Sequence, residues 1–409
     1  MDGSWFGAMS NGIGAAAVAA VLAAIACAAV LYTLLALFSL RRFAPPVAAA
    51  PAETLGVTIL KPLYGAETGL YEHLLSFCRQ NYAGPVQIIF GVHHHDDAAA
   101  AVARRIVALA GAGKIEGAPA KFSVELMVDA TVHGSNGKVS NLINLSRRID
   151  HPFVVLADSD ISVEPDYLVR LAAAIERPDV GLVTCLYRGK PLAGFWSRLG
   201  AMGVDYGFLP NVLTGMALNM AQPCVGATIA LRRDTLETIG GFERIKDQLA
   251  DDYMLGEAVL ELGLDIAVAD FVVGHAHSER GFGEVWRRDL RWARTIQSLD
   301  PLGHIGSAVT FPVAWALLAV LVSGFAPAMV ALAGAAVLAR MILQFEIDGR
   351  FPGHDHALWL GPVRDLFSFA VFIASFLPGQ IHWRGRDYAL TENGGMAPVD
   401  VEDVEVEGA

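Results

Sequence analysis

The stretch VVLADSDI closes an apolar run with two carboxylates, Asp158 and Asp160. Alternate residues of an extended segment point to one side. Both can then face a single ligand, such as a divalent cation holding a diphosphate, for which Mg2+ and Mn2+ favour oxygen donors. The same spacing also occurs in plain polar turns. A second pair, Asp251 and Asp252, opens a helical pattern in LADDYMLGEAV. There an acidic first turn complements the helix dipole, or it supplies a general base for an acceptor hydroxyl. The third cluster, WRRDLRWART, spaces Arg288, Arg291 and Trp292 as Arg-x-x-Arg-Trp. Its arginines either face anionic lipid or grip phosphate through paired N–H donors, while Trp292 offers a flat apolar face.

FGVHHHDD sets His93, His94 and His95 against Asp96 and Asp97. Neighbours on an extended strand end point apart, so three consecutive histidines do not converge on one metal. No second cluster has zinc-finger spacing, although His275 and His277 form a His-x-His. The stretch therefore reads as a polar loop. His275 reads either as a neighbour of a diphosphate or as a structural histidine.

These residues need a scaffold. VTILKPL, VQIIFGV, FSVELMVD, FVVLADSDI and VGLVTCLY read as buried strands. Between them GLYEHLLSFCRQ, AAAAVARRIVALAG, KVSNLINLSRRI and PDYLVRLAAAIE have amphipathic helical patterns. The alternation predicts one α/β domain over residues 54–294 with a mostly parallel sheet. In such sheets ligands bind at the carboxyl ends of strands, where the Asp158 pair falls. CVGATIALRRDTLETIGGF reads as a glycine-rich strand–turn–helix that a substrate can approach closely.

The flanks are apolar. Of 409 residues 54% are hydrophobic and the mean hydropathy is +0.44, values of a membrane protein. A net charge of −12 argues against a nucleic-acid partner. Cys27, Cys78, Cys185 and Cys224 share no Cys-x-x-Cys spacing, which fits a reduced compartment. After a short N-terminal segment, residues 1–12, the uncharged run 13–40 is long enough to span a bilayer. With no basic region before it, an anchor is expected rather than a cleaved signal. Arg41 and Arg42 place its end in the cytoplasm. A Pro/Ala linker, 41–53, follows. Residues 308–345 read as a transmembrane hairpin with Arg340 near its cytoplasmic end. The run 366–381 has only 16 residues, with Arg364 before it and Arg384 and Arg386 after it. It is expected to be interfacial or re-entrant rather than a further span. The tail, 382–409, carries Asp400, Glu402, Asp403, Glu405 and Glu407 and reads as solvated.

In chain order, ILKPLYG, FGVHHHDD, GKVSNLINL, ADSDI, ADDY, LRWARTI and WRGRDY resemble the glycosyltransferases of families 2 and 21. The resemblance runs from about Val57 to Tyr388. It is closest to the ceramide glucosyltransferases and the hopanoid-associated glycosyltransferases. It implies a GT-A fold, an α/β nucleotide-sugar-binding domain related to the Rossmann type, here with transmembrane helices at both ends. It also implies a UDP-sugar donor, a divalent cation (Mg2+ or Mn2+), a lipid hydroxyl acceptor and inversion at the anomeric carbon. By position, Lys61, Pro62 and Gly65 would belong to the uridine-binding first loop, and Asp97 would lie near the nucleotide. Lys138, within GKVSNLINL, would join the donor site. Asp158, with Asp160, would hold the metal, and Asp252 would be the base. Arg288, Arg291 and Trp292 would be the family's signature. The histidines before Asp97 depart from the family's usual segment. The expected activity is hexose transfer to ceramide at a bacterial-type inner membrane, by a multi-pass protein with a cytoplasmic catalytic domain and no nucleic-acid partner. The alternatives are a hopanoid glycosyltransferase using UDP-N-acetylglucosamine and a processive polysaccharide synthase, for which three spans are few.

Overall fold

A computed structural model describes residues 4–43, 54–351, 358–383, 386–391 and 394–399. Most of the 41–53 linker, the acidic residues from Asp400 onward, and Arg384 of WRGRDY lie outside the described residues. The chain divides into two compact units.

The α/β unit comprises residues 54–197, 221–280 and the described part of 379–399. Its strands are β1 (Val57–Pro62), β2 (Val86–Val92), β3 (Phe122–Val128), β4 (Phe153–Ala157), β5 (Ile161–Ser162), β6 (Val180–Pro191), β7 (Thr228–Arg232) and β8 (Asp265–His277). They form one sheet in the order β3-β2-β1-β4-β7-β6-β8-β5. β1, β2 and β4 are buried along their whole length, as their nearly unbroken apolar sequences require of strands covered on both faces. β3, β2, β1 and β4 are parallel, and so are β6 and β8. β7 is antiparallel to both β4 and β6. It begins beside the end of β4, with Thr228 opposite Ala157, and so runs back along it. The sheet is therefore mixed on that side. Leu60, Ile89, Val139, Leu142, Leu156, Leu182 and Ile229 form the centre of the core.

One local expectation fails. Asp158 and Asp160 do not continue an extended strand. The β4 ladder ends at Ala157, and the chain turns so that Ile161 N–H donates to the Asp158 carbonyl at 3.4 Å. The two carboxylates share this turn, not one face of a strand.

The helical unit comprises residues 4–43, 198–220 and 281–378. Two stretches of the 54–294 span therefore pack with the helices instead of the sheet: Arg198–Met220 and the residues from Gly281. Gly14–Arg42, Pro327–Arg350 and Leu358–Ser375 are long and apolar enough to cross a membrane, and Pro301–Thr310 and Pro312–Val322 form a pair bent by 68°. Ala26, Ala316 and Ala336 are fully buried together with Val313, small residues that let helix backbones come close. Arg41 pairs with Glu346, which ties the end of the first helix to the late turns of Pro327–Arg350. Two arginines read as flanking charges are consumed inside this unit. Arg340 pairs with Asp365 at 2.8 Å. Arg364 pairs with Asp289 at 2.6 Å and donates to the Leu199 carbonyl. Neither is a free topogenic charge.

Candidate active site

The carboxyl ends of β1, β2 and β4 lie side by side in the parallel half of the sheet. Each delivers residues singled out by sequence. β1 ends at Pro62, opposite Gly91 of β2. Gly65, in the loop beyond, has a φ of +70°, a conformation natural to glycine. Its N–H donates to Asp97 Oδ1 at 2.9 Å, and the same oxygen caps the helix Ala98–Gly111 by accepting from Ala99 N–H at 2.8 Å. Asp97 thus fastens the first loop to the second.

Lys61 departs from the expectation of a nucleotide contact. Its side chain is fully buried. Its ammonium donates to the Asp158 carbonyl and lies 3.8 Å from the centre of the Phe77 ring. It supports the Asp158–Asp160 turn from beneath. Burial lowers its pKa to about 7, against the pull of Asp158 and Asp160.

Lys138 joins the two acidic pairs. Its Nζ lies 2.8 Å from Asp158 Oδ1 and 2.8 Å from Asp251 Oδ2. Burial disfavours its charge, but the two carboxylates outweigh this and raise its pKa. The position is set locally: Asn136 accepts from Lys138 N–H and Val139 N–H and caps the helix Gly137–Ser146 at its first turn. Asp251 and Asp252 open the helix Asp251–Leu260, so Lys138 links two helix N-termini to the turn after β4. Asp252 is partly buried, and its Oδ1 accepts from Tyr253 N–H at 2.9 Å. Burial, and next the neighbouring Asp251 carboxylate, raise its pKa to about 6. A Cβ added at Gly226 would sit 2.9 Å from Asp252 Oδ2. The glycine-rich wall is therefore approached by the carboxylate itself.

Asp160 faces the end of β8. Its Oδ2 lies 3.2 Å from His275 Nε2, and His275 Nδ1 lies 3.0 Å from His277 Nε2. Burial acts to raise the Asp160 pKa, but His275, Lys61 and His73 outweigh it and hold the carboxyl at about 2. Asp160 Oδ1 is buried with no hydrogen-bond partner among the described residues. No three His, Cys, Asp or Glu side chains converge as a metal site among the described residues. The turn offers two carboxylates and one unpartnered buried oxygen. That suits a hard cation completed by water and substrate phosphate, the usual arrangement for Mg2+.

Of the histidine run, His93 is the buttress. Its Nδ1 lies 3.1 Å from the Asp129 carbonyl oxygen and its Nε2 2.9 Å from that of Gly137, while His94 and His95 are exposed. Arg288, Arg291 and Trp292 lie on the helix Phe282–Leu299 of the helical unit. There Arg288 donates to Asp289 Oδ1 at 2.7 Å, and its guanidinium lies 5.3 Å from the centre of the Trp292 ring.

The model of glycosyl transferase family 21 matches residues 21–396. The chain is a family 21 glycosyltransferase. Ceramide glucosyltransferase 1 of Caenorhabditis elegans is 24% identical over 221 residues, 54% of this chain and 45% of its own length. The match thus spans less than half of that relative. Ceramide glucosyltransferase 3 of the same organism is 23% identical over 362 residues, 84% of this chain and 74% of its own length. Among solved structures, the mannosyltransferase PcManGT from Pyrobaculum calidifontis, in complex with GDP-Man and Mn2+, superposes with a TM-score of 0.53 at 20% identity. That match covers 88% of this chain and 98% of that one. It shows the GT-A fold. In this family 21 glycosyltransferase, the sequence reading singled out Lys138 but missed Asn136, the cap that places it. The signal was there: an Asn directly before a periodic apolar run is a helix start.

Proposed function

We propose that the protein transfers a hexose from a UDP-sugar to the hydroxyl of a membrane lipid, with ceramide as acceptor and inversion at the anomeric carbon. The observation that carries this reading is Lys138 held between Asp158 and Asp251 at 2.8 Å each. It brings a phosphate- and cation-binding turn and a candidate base into one cluster. Similarity to ceramide glucosyltransferases and helices apolar enough to cross a membrane support the choice of acceptor.

Asp158 and Asp160 would hold a divalent cation, which when bound supplies positive charge to the departing diphosphate. Pro62, Gly65 and Asp97 shape the loops at the nucleotide, and Lys61 supports the turn. Asp252 accepts the proton of the lipid hydroxyl as that oxygen attacks the anomeric carbon and UDP leaves from the opposite face. Lys138 sets one ammonium between the Asp158 and Asp251 carboxylates and so offsets their mutual repulsion. The roles of Arg288, Arg291 and Trp292, donors to the diphosphate and a face for the acceptor, rest on the family motif. The catalytic unit is assigned to the cytoplasmic side of the membrane, where Arg41 and Arg42 end the first helix.

The test is transfer by the purified full chain in lipid nanodiscs containing ceramide or a hopanoid, with UDP-glucose, UDP-galactose and UDP-N-acetylglucosamine offered separately. Products are read by mass spectrometry. Glucosylceramide or galactosylceramide is expected, and Asp252→Asn should lower kcat by at least about 10²-fold, the weight of a general base. A glycosylated hopanoid or a polymer as sole product would overturn the acceptor assignment. An active Asp252→Asn would overturn the base.

A further inference from the structure

Beyond the helical unit the chain returns to the α/β unit and forms a second, antiparallel sheet: β9 (Ile381–Trp383), β10 (Arg386–Leu390) and β11 (Met396–Pro398), in the order β11-β10-β9. This small sheet is fastened to the loop 246–250, which leads directly into Asp251 and Asp252. Gln248 and Gly395 form an antiparallel bridge. Leu249 N–H donates to the Gly394 carbonyl at 3.0 Å, and Met396 N–H donates to the Asp247 carbonyl at 2.9 Å. Leu249 is 7% exposed and packs with Ile381, Tyr388 and Met396, with Trp383 against them.

The other side of the same loop is held by the segment before Lys138. Asn136 N–H donates to the Lys246 carbonyl at 2.9 Å, and Asn136 Nδ2 donates to the Gln248 carbonyl at 2.7 Å. Ser135 donates to Asp247 Oδ1 through both N–H and Oγ, at 2.8 and 2.9 Å. There is no slack between the two segments, since a Cβ on Gly134 would come within 2.6 Å of both Asp247 Oδ1 and the Lys246 carbonyl oxygen. Asn136 is also the cap that places Lys138. One loop, gripped from both sides, therefore sets the start of the Asp251 helix and the start of the Lys138 helix together.

We infer that the C-terminal sheet is a positioning element for the Asp251–Asp252 pair. Its backbone bonds and its apolar plug at Leu249 fix the loop from which the pair emerges. Misplacing a catalytic group by about 1 Å can cost on the order of 10²-fold in rate, so the clamp is expected to act on turnover more than on donor binding. The catalytic half of this inference rests on the function proposed above. The mechanical half does not.

The test uses the full chain in nanodiscs with Tyr388→Ala and Met396→Ala, which thin the plug, and with Tyr388→Phe, which keeps it. Hydrogen–deuterium exchange followed by mass spectrometry reads the clamp whatever the activity. Exchange at 134–139 and 246–253 is expected to rise at least about tenfold in the Ala variants, with β1 and β2 unchanged and Tyr388→Phe like wild type. Unchanged exchange at 246–253 in both Ala variants overturns the inference. Where transfer is measurable, kcat should fall about tenfold or more with the KM for UDP-sugar within about twofold. The same loss should disappear when Tyr388→Ala is placed on Asp252→Asn. Full multiplication of the two effects would mean that the sheet does not act through the acidic pair. Absence of transfer in the wild type, with the exchange pattern as expected, would remove the proposed function and leave the clamp standing.

Discussion

At the scale of single residues, the site is organised by unequal environments for similar groups. Asp160 is held at about 2 and Asp252 at about 6, although both are partly buried carboxyls. For Asp160 the opposing charges of His275 and Lys61 outweigh burial. For Asp252 burial is reinforced by Asp251. A base must be ionised to accept a proton, so kcat/KM should rise as pH rises through about 6 and level off above it. The pH–rate profile of the wild type checks this. Asp251→Asn removes the second cause of the upward shift, so the midpoint of the acid limb should move to lower pH; a limb that stays in place would assign it to another group. The types of these residues were legible in the sequence, because acidic pairs beside apolar runs stand out. Their local geometry was not. The Asp158 pair lies in a turn that the end of the β4 ladder dictates. Lys61 looks like a loop cation but is buried under that turn, and only the partner strands reveal it.

At the scale of elements, the helix Gly361–Ser375 shows how a buried ion pair can mimic a topological signal. Arg364 and Asp289 are both about nine-tenths buried and 2.6 Å apart. Removing one partner of such a pair costs about 3–5 kcal/mol, because the other charge is left without water. Arg364→Leu should therefore lower the thermal unfolding midpoint of the detergent-solubilised protein markedly. Arg364→Leu with Asp289→Leu should recover part of the loss, since a well-packed apolar pair can replace an ionic one. A double variant as unstable as the single would show that Asp289 is also needed by Arg288, which donates to its other oxygen at 2.7 Å. Strand and helix periodicity made the parallel half of the sheet legible, since β1, β2 and β4 are apolar along their length. β8 was missed because DIAVADFVVGHAH mixes polar and apolar residues without a strict period. β9 and β11 have three residues each, too few to show any period. The helical segment 198–220 was absorbed into the α/β domain because nothing in its composition says which unit it packs with. Its partners are distant in sequence: Tyr32 donates to Asn211, and Tyr206 donates to Asp348.

At the scale of the whole molecule, the C-terminal sheet has a consequence for counting. Arg280 and Gly379 both belong to the α/β unit, and one folded α/β unit occupies one compartment. The chain between them must leave that compartment and come back to it, so its bilayer crossings are even in number. Among the described residues three candidates lie in that interval: the bent pair 301–322, Pro327–Arg350 and Leu358–Ser375. An even count excludes all three crossing together. Leu358–Ser375 passes the length test at 18 residues, about 27 Å at the helical rise. Yet Phe367 packs against Phe282 and Trp286, Arg364 sits on Asp289 and Ser375 on His304, which tie it to the charged helix Phe282–Leu299 and the residues just after it, while Asp365 reaches Arg340 and Phe369 reaches Trp315. The buried Arg364–Asp289 pair, on an arginine-rich neighbour, is the contact from which we expect this helix to lie at the interface. The two crossings then fall to the bent pair and Pro327–Arg350, and with Gly14–Arg42 the expected total is three. Green fluorescent protein fused after Ala409 should fluoresce and alkaline phosphatase fused there should be silent; the reverse would break the count. Parity also constrains how this chain can change over time: a span gained or lost alone between Arg280 and Gly379 would carry the last strands across the bilayer from the loop they grip, so spans in that interval can be added or removed only in pairs.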